Sequence, residues 1–142
     1  MYDSTPACPQ EKLDERTPLL ESRSVASHMM LGRQGEQIAA DYLRSSGYCI
    51  YERNVRFGHD EIDIVAFDPA EKTVVFVEVK TRAHFDKDFP PALGMSACKK
   101  ERLLRGVRSW IAAHAFDGSY RLDLVCVTGG NVTDHLEQVE CA

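Results

Sequence analysis

Two short apolar segments, separated by six residues that favour a turn, constrain the fold of this chain more than any other feature. Residues 62–67 and 74–79 are rich in β-branched and aromatic side chains, and residues 68–73 between them include Asp68 and Pro69. Apolar runs of this length, divided by turn-forming residues, indicate strands joined as a β-hairpin. The sequence therefore predicts a sheet built around this hairpin.

Three ionisable side chains interrupt the two apolar segments at Asp63, Glu78 and Lys80. Because side chains alternate along a strand, Glu78 and Lys80 share one face of the sheet with Phe76. A register that sets Asp63 opposite Glu78 would bring the three charged groups together. Two carboxylates about 4 Å apart repel by roughly 4 kcal/mol at an effective dielectric of about 20, and a divalent cation reverses that repulsion.

A cluster of this kind suits metal-dependent hydrolysis of a phosphodiester. Mg²⁺ takes oxygen ligands, commonly one or two carboxylates together with waters and phosphate oxygens. A lysine beside the carboxylates can orient the attacking water or neutralise charge that develops on the phosphate. The alternative from these residues alone is an exposed strand face on which Glu78 and Lys80 form a weak surface ion pair.

Composition limits the classes of function. A chain of 142 residues, 44% hydrophobic, has room for one domain with a core, and its formal charge of −5 requires a local basic patch for any nucleic-acid partner. With no apolar run long enough to cross a membrane and no signal-peptide core, we expect a cytoplasmic protein without a membrane partner. The five cysteines, lacking a Cys-x-x-Cys pair, predict reduced thiols and neither disulfides nor zinc.

The remaining segments complete an α/β pattern. Residues 1–30 contain prolines and no sustained period, which predicts a disordered tail and leaves residues 31–142 as a single domain. The spacing predicts a helix over 32–46, a strand over 48–56, a polar loop over 81–93, a second helix from its N-cap Ser96 to about residue 115, a strand over 120–127 and a terminal strand over 132–139. This order predicts a mixed sheet whose first three strands form a meander, with helices flanking it.

Both predicted helices carry charged residues that could serve such a site. Glu36 lies along the edge of the first helix's apolar stripe, where it is either a rim residue or a further metal ligand. The second helix holds a basic cluster that is either a solvated face or a surface for nucleic-acid phosphates. This cluster consists of Lys99, Lys100, Arg102, Arg105 and Arg108.

Several motifs recur at the spacing of a known family. They are Gly-x-x-Gly-Glu at 32–36, Arg-Asn-x-Arg at 53–56, Glu-Ile-Asp-Ile at 61–64, Phe-Val-Glu-Val-Lys-Thr-Arg at 76–82, Lys99, and Arg-x-Asp at 121–123. From about residue 32 to residue 137 the chain resembles the YraN-like family of small, mostly bacterial proteins regarded as endonucleases. That family looks like part of the PD-(D/E)XK, restriction-endonuclease-like superfamily and is similar to archaeal Holliday-junction resolvases.

The resemblance implies a restriction-endonuclease-like sandwich with a site for Mg²⁺ or Mn²⁺. It assigns catalytic roles to Asp63, Glu78, Lys80 and Glu36, of which Asp63 and Glu78 match the metal-binding carboxylates. Glu36 matches a helix glutamate placed near the metal. The family usually has glycine where this chain has Asp60, and an extra carboxylate there would either perturb metal binding or face solvent.

These residues predict a metal-dependent endonuclease whose nucleic-acid contacts come from Lys99, Lys100, Arg102 and Arg105, together with Arg82. We favour DNA over RNA, in a structured or branched form, because the chain has no motif for reading bases. Resolvase-like enzymes act as dimers since two strands must be cut symmetrically, so a homodimer is one expectation, although the sequence carries no dimer motif. The alternative is a non-catalytic nucleic-acid-binding or adaptor module that retains the fold.

Overall fold

The structure is a computed structural model that describes residues 25–83 and 97–139, with side chains for residues 31–83 and 98–139. Two helices and five strands follow one another in this part of the chain. They are α1 (Val25–Ser45), β1 (Cys49–Phe57), β2 (Asp60–Asp68), β3 (Thr73–Arg82), α2 (Ala97–His114), β4 (Tyr120–Thr128) and β5 (Asn131–Leu136).

The strands form one mixed sheet in the order β1-β2-β3-β4-β5. The first three strands pair antiparallel as a meander, β3 and β4 pair parallel, and β4 and β5 pair antiparallel. The parallel pair requires a long crossover connection, and α2 lies in that connection. The predicted α/β fold, with its mixed sheet, initial meander and flanking helices, is confirmed.

One face of the sheet packs against α1. Ala39, Ala40 and Leu43 of the helix are fully buried against inward-facing residues of β1 to β4, and this group is called the α1-side core. Ile38 and Tyr42 pack at its margin. The apolar stripe predicted for the first helix is therefore the surface that the helix buries.

The opposite face packs against α2. Leu103, Val107 and Trp110 of this helix join residues of β2, β3 and β4 in the α2-side core, where Phe76 contacts Trp110 edge to face. Residues of β3 and β4 alternate between the two cores, so both strands are buried on both faces. This explains their nearly continuous apolar sequences, which are typical of strands buried on both sides.

The first helix begins earlier than the sequence predicted. It starts at Val25, seven residues before Gly32, so the end of the predicted tail is helical. Residues 25–31 contain neither proline nor glycine and include alanine, methionine and leucine, which favour helix. The rest of the predicted tail, most of the predicted loop after β3 and the predicted N-cap Ser96 lie outside the described residues.

The prediction that all cysteines are reduced is wrong for Cys49, which is disulfide-bonded. Spacing along the chain does not reveal this pairing because it depends on how distant segments come together. Cys98 and Cys126 are free thiols. Neither described helix is long and apolar enough to cross a membrane.

A buried ionic network fixes β4 to its neighbours. Asp123 is completely buried and accepts hydrogen bonds from Arg121 Nε at 3.0 Å and from the backbone N–H of Gln138 at 3.1 Å, and it contacts His135 Nε2 at 2.7 Å. Burial raises the pKa of Asp123, but the bonds from His135 and Arg121 outweigh it and leave the pKa below its ordinary value. Arg121 also bonds Asp68 at the end of β2. The network therefore ties β2, β4 and β5 together.

Gly35 lets α1 approach the end of β3 closely. A side chain at this buried position would collide with Thr81, whereas Gly32, one helical turn earlier, has open space around it. The absence of a side chain at Gly35 thus sets the distance between α1 and the strand that carries Glu78. Glu36 follows directly in the helix.

Replacing Gly35 by alanine is therefore expected to destabilise the protein by about 1–3 kcal/mol, because the new methyl group overpacks the contact with Thr81. Gly32→Ala is the matched control in the same helix and is expected to stabilise by about 1 kcal/mol, since alanine is the better helix former. Urea unfolding of both variants measures the difference. Equal effects at the two glycines would show that the close approach of α1 to β3 does not constrain Gly35.

Candidate metal and nucleic-acid site

The β2–β3 hairpin brings the two predicted metal-binding carboxylates together. β2 and β3 pair from Asp68 with Thr73 as far as Ile64 with Val77. Continuing that register by one step would set Asp63 across from Glu78, and the two carboxyl groups interact directly.

The backbone hydrogen-bond ladder between β2 and β3 ends at the pair Ile64–Val77, next to Asp63 and Glu78. Asp63 Oδ2 accepts a hydrogen bond of 2.8 Å from the backbone N–H of Val79, so a side chain replaces the backbone partner there. Ile62 belongs to the α2-side core and Ile64 to the α1-side core, although regular alternation would put both on one face. The strand thus turns at Asp63 and opens a gap beside β3.

Asp63 and Glu78 interact directly through a hydrogen bond between their carboxyl groups. Burial, followed by the charge of Glu78, raises the pKa of Asp63 from its ordinary value of 3.8 to about 8, although the Val79 N–H opposes this shift. Glu36 raises it further. Because two neighbouring carboxylates cannot both ionise cheaply, the pair holds one proton in the absence of a cation.

Lys99 of α2 is the direct partner of Glu78. Its Nζ lies 2.8 Å from Glu78 Oε1, and the Glu78 side chain is only 9% exposed. Burial lowers the pKa of Lys99, but the hydrogen bond and the charge of Glu78 outweigh it and raise the pKa above its ordinary value. Of the basic cluster, Lys99 thus contacts the carboxyl pair directly.

A cavity of about 470 Å³ opens over the carboxyl pair. Acidic residues line it on the strand and α1 sides, and α2 contributes cations. The lining includes Glu36, His59, Glu61, Asp63, Glu78, Thr81, Lys99 and Arg102. An anionic ligand entering this cavity would meet the α2 cations, and a divalent cation would meet the carboxyl pair.

Lys80 lies on the same face of the sheet as Glu78 but outside the lining of the cavity. It pairs with Cys126 of the α2-side core, so it lies on the same face as Glu78, as predicted. It is half-buried but is not among the residues that line the cavity. Cys126 in turn pairs with Asp134. Lys80 therefore lies two residues beyond Glu78 along β3, in a row across the sheet with Cys126 and Asp134.

The basic cluster divides into residues inside and outside the cavity. Arg102 lines the cavity with Lys99, whereas Lys100 does not. Arg105 is exposed and pairs with Asp60, its Nη2 lying 3.1 Å from Asp60 Oδ1. The extra carboxylate at Asp60 thus faces Arg105 and does not line the cavity. Arg82, at the end of β3, is also outside the lining.

The donor set fits a hard divalent cation. Asp63 and Glu78 offer oxygen atoms in mutual contact, and a cation would relieve the repulsion that raises the pKa of Asp63. Within residues 25–83 and 97–139, no three histidine, cysteine, aspartate or glutamate side chains come close enough to hold a metal ion together. Glu36 therefore lines the same cavity without completing a three-ligand set, and water or phosphate oxygens would complete the coordination, as is usual for Mg²⁺.

Two lining residues were not predicted from the sequence. His59 lies in the turn from β1 into β2, Glu61 lies near the start of β2, and both line the cavity. The chain has one signal for this turn, Gly58 followed by His59, and Gly58 does adopt a left-handed φ of 62°. The spacing of residues in the sequence does not show which side chains near this turn face the cavity.

Comparison with known proteins identifies the family. A family model described as "Uncharacterised protein family UPF0102" matches residues 35–127. The chain belongs to the UPF0102 family. The matched region contains Glu36, both residues of the carboxyl pair and all residues of the basic cluster.

Individual relatives are similar over most of this chain. The UPF0102 protein of Oleidesulfovibrio alaskensis is 42% identical over 106 residues, which cover 74% of this chain and 51% of that relative. The chain thus matches about half the length of that relative. The UPF0102 proteins of Nitratidesulfovibrio vulgaris and Pelobacter propionicus are 42% and 39% identical, over 76% and 68% of this chain and 79% and 69% of their own lengths. None of these names states an activity.

The raised pKa of Asp63 predicts how stability depends on pH in metal-free protein. Folded Asp63 keeps its proton up to about pH 8, whereas the unfolded chain releases it near pH 4, so the contribution to stability is complete below pH 4 and is lost as pH rises to about 8. Asp63→Asn, neutral throughout, should melt about 3–6 °C above wild type at pH 8 and match it at pH 4.

Differential scanning fluorimetry in EDTA measures this difference. Asp117→Asn, which changes an exposed carboxylate between α2 and β4, is the control and should follow wild type at every pH. Parallel curves for wild type and Asp63→Asn would contradict the shared proton.

Proposed function

We propose that this protein is a metal-dependent endonuclease that hydrolyses phosphodiester bonds in nucleic acid, with structured or branched DNA favoured over RNA. The observation that carries the proposal is the carboxyl pair of Asp63 and Glu78 at the base of a cavity whose α2 wall supplies Lys99 and Arg102. Adjacent carboxylates and cations in one cavity suit a ligand that combines a divalent cation with a phosphate. The resemblance to YraN-like proteins and the PD-(D/E)XK superfamily agrees with this chemistry.

In this proposal the carboxylates bind the metal and the lysines act on the phosphate or the attacking water. Asp63 and Glu78 would hold Mg²⁺ or Mn²⁺, with Glu36 assisting from α1. When bound, the metal supplies Lewis-acid polarisation of the phosphate. Lys99 neutralises Glu78 in the metal-free protein and stands in the cavity wall, where it can contact a phosphate oxygen. Lys80 is proposed to act on the attacking water or on developing phosphate charge.

Contacts with the rest of the nucleic acid fall to the basic cluster. Lys99 and Arg102 reach the cavity, and Lys100, Arg105 and Arg82 would extend the surface outside it. Contacts of this type bind phosphates and position the substrate without reading bases, so recognition would depend on the shape of the nucleic acid. Symmetric cutting of a branched substrate would require a homodimer.

A cytoplasmic location is part of the proposal, because the substrate is nucleic acid. The disulfide of Cys49 is the observation that weighs against a reducing compartment.

One observation favours a second function, a nucleic-acid-binding or adaptor module without catalysis. The ion pair of Lys99 with Glu78 satisfies the buried carboxylate without a metal. Within the described residues, moreover, no three-ligand metal cluster is formed. Such a module would bind branched DNA in a salt-dependent manner and cleave nothing.

Cleavage assays separate the two functions. Labelled four-way-junction DNA, duplex DNA and structured RNA are incubated with wild type or Asp63→Ala in Mg²⁺, Mn²⁺ or EDTA. We expect cleavage that requires metal and falls by at least about 10³-fold in Asp63→Ala, because the metal loses a ligand. Asp117→Asn is the control and should cleave as wild type does. Intact substrates in every reaction, together with salt-dependent binding, would support the adaptor.

Lys80→Ala tests the role of the lysine separately. If Lys80 orients the water or neutralises phosphate charge, its loss should lower kcat by about 10²-fold while Mn²⁺ binding, followed by calorimetry, stays unchanged. Undiminished cleavage with metal retained would remove Lys80 from the mechanism and would agree with its place outside the cavity lining.

A further inference from the structure

Asn54 has an unusual backbone conformation in the middle of β1. Its φ is +53°, although its neighbours Arg53 and Val55 pair regularly with Ile64 and Ile62 of β2. Residues other than glycine rarely adopt this left-handed backbone conformation, and asparagine is one of the few types that tolerate it. Left-handed residues inside a strand persist only where the surrounding structure requires them, and they concentrate at functional sites.

The register places Asn54 in line with the carboxyl pair. Because Arg53 faces Ile64 and Val55 faces Ile62, Asn54 lies opposite Asp63. On its other side, Asp63 comes one step after the last β2–β3 pair, Ile64 with Val77, and its carboxyl group contacts that of Glu78. A single row across three strands therefore carries Asn54, Asp63 and Glu78, and the regular ladder is interrupted along it.

The side chain of Asn54 turns from this row to α1, where it donates a hydrogen bond to Glu36. Glu36 lines the cavity over the carboxyl pair. This contact holds the Glu36 side chain in the wall of the cavity.

The residue before Asn54 contacts the same turn of α1. Arg53 Nη1 donates a hydrogen bond of 2.8 Å to Gln37 Oε1, so successive residues of β1 bind successive residues of the helix. In a regular strand two successive side chains point to opposite faces. The left-handed conformation of Asn54 lets both reach α1, which gives a physical reason for the strained backbone.

We propose that Asn54 is a positioning residue that holds Glu36 of α1 over the Asp63–Glu78 carboxyl pair, so that Glu36 adds its charge to the metal site. The inference rests on the proposed metal-dependent function. Residues that orient metal ligands through hydrogen bonds commonly change metal affinity by about 10- to 100-fold when they are replaced.

The test uses Asn54→Gly, because glycine keeps the left-handed backbone and removes only the amide side chain. Lys72→Gly is the matched control, since Lys72 also has a left-handed φ, of 51°, but lies in the exposed turn between β2 and β3. Glu36→Ala and the double variant Asn54→Gly/Glu36→Ala complete a cycle. Mn²⁺ affinity by calorimetry is the first measurement.

We expect Asn54→Gly to weaken Mn²⁺ binding about 10-fold, Lys72→Gly to leave it unchanged, and the double variant to bind no more weakly than Glu36→Ala. Full additivity of the two single losses, or equal affinity in Asn54→Gly and Lys72→Gly, would overturn the proposal.

A second measurement decides the positioning role even if wild type binds no metal, an outcome that would overturn the proposed function by itself. The melting temperature is determined in EDTA for the same four variants and wild type. A positioning contact predicts that the loss caused by Asn54→Gly shrinks by at least about half in the Glu36→Ala background. An equal loss in both backgrounds would show that Asn54 does not act through Glu36.

Discussion

The hydrogen bond from the backbone of Val79 to the carboxylate of Asp63 is the contact on which the rest of the site depends. It replaces a ladder bond at the point where β2 leaves β3, so a polar side chain satisfies a buried N–H that would otherwise be costly to leave unpaired. The separation of the strands makes room for Glu78 to meet Asp63.

The cost of gathering carboxylates at one place is offset elsewhere in the fold. The sheet is anchored away from the cavity by Arg121 and the buried Asp123, which connect β2, β4 and β5 through charge-assisted hydrogen bonds. On the other side, the missing side chain at Gly35 fixes α1 against Thr81. The ionic network thus holds β2, β4 and β5, and the close approach at Gly35 holds α1 against β3, while Asp63, Glu78 and Glu36 lie near one another. Burial, and after it the charge of neighbouring carboxylates, raises the pKa values of Asp63 and Glu36.

The sequence is informative where local pattern decides structure and silent where a bend or a distant contact decides it. The hairpin and its register follow from two β-branched runs and their turn, so the meeting of Asp63 with Glu78 was predictable. The bend at Asp63 was not predictable. The sequence alternates regularly at Ile62 and Ile64, which predicts that both face one side of the sheet, but in the structure they belong to opposite cores. His59 and Glu61, which precede this bend, line the cavity, and the sequence did not predict it. The pairing of Arg105 with Asp60 joins residues far apart in the chain, and no spacing rule predicts it.

The two ion pairs of α2 determine how an acidic protein could bind a polyanion. Lys99 is paired with Glu78 and Arg105 with Asp60, so part of the charge of the basic cluster is neutralised by the domain's own carboxylates. A phosphate must compete with these carboxylates, whereas a divalent cation on the carboxyl pair would remove the competition at Lys99. Each phosphate contact contributes about 0.9 to the slope of log affinity against log salt, so the exchange of partners has a measurable signature. A cation and a nucleic acid would then bind cooperatively, since each neutralises the charge that opposes the other.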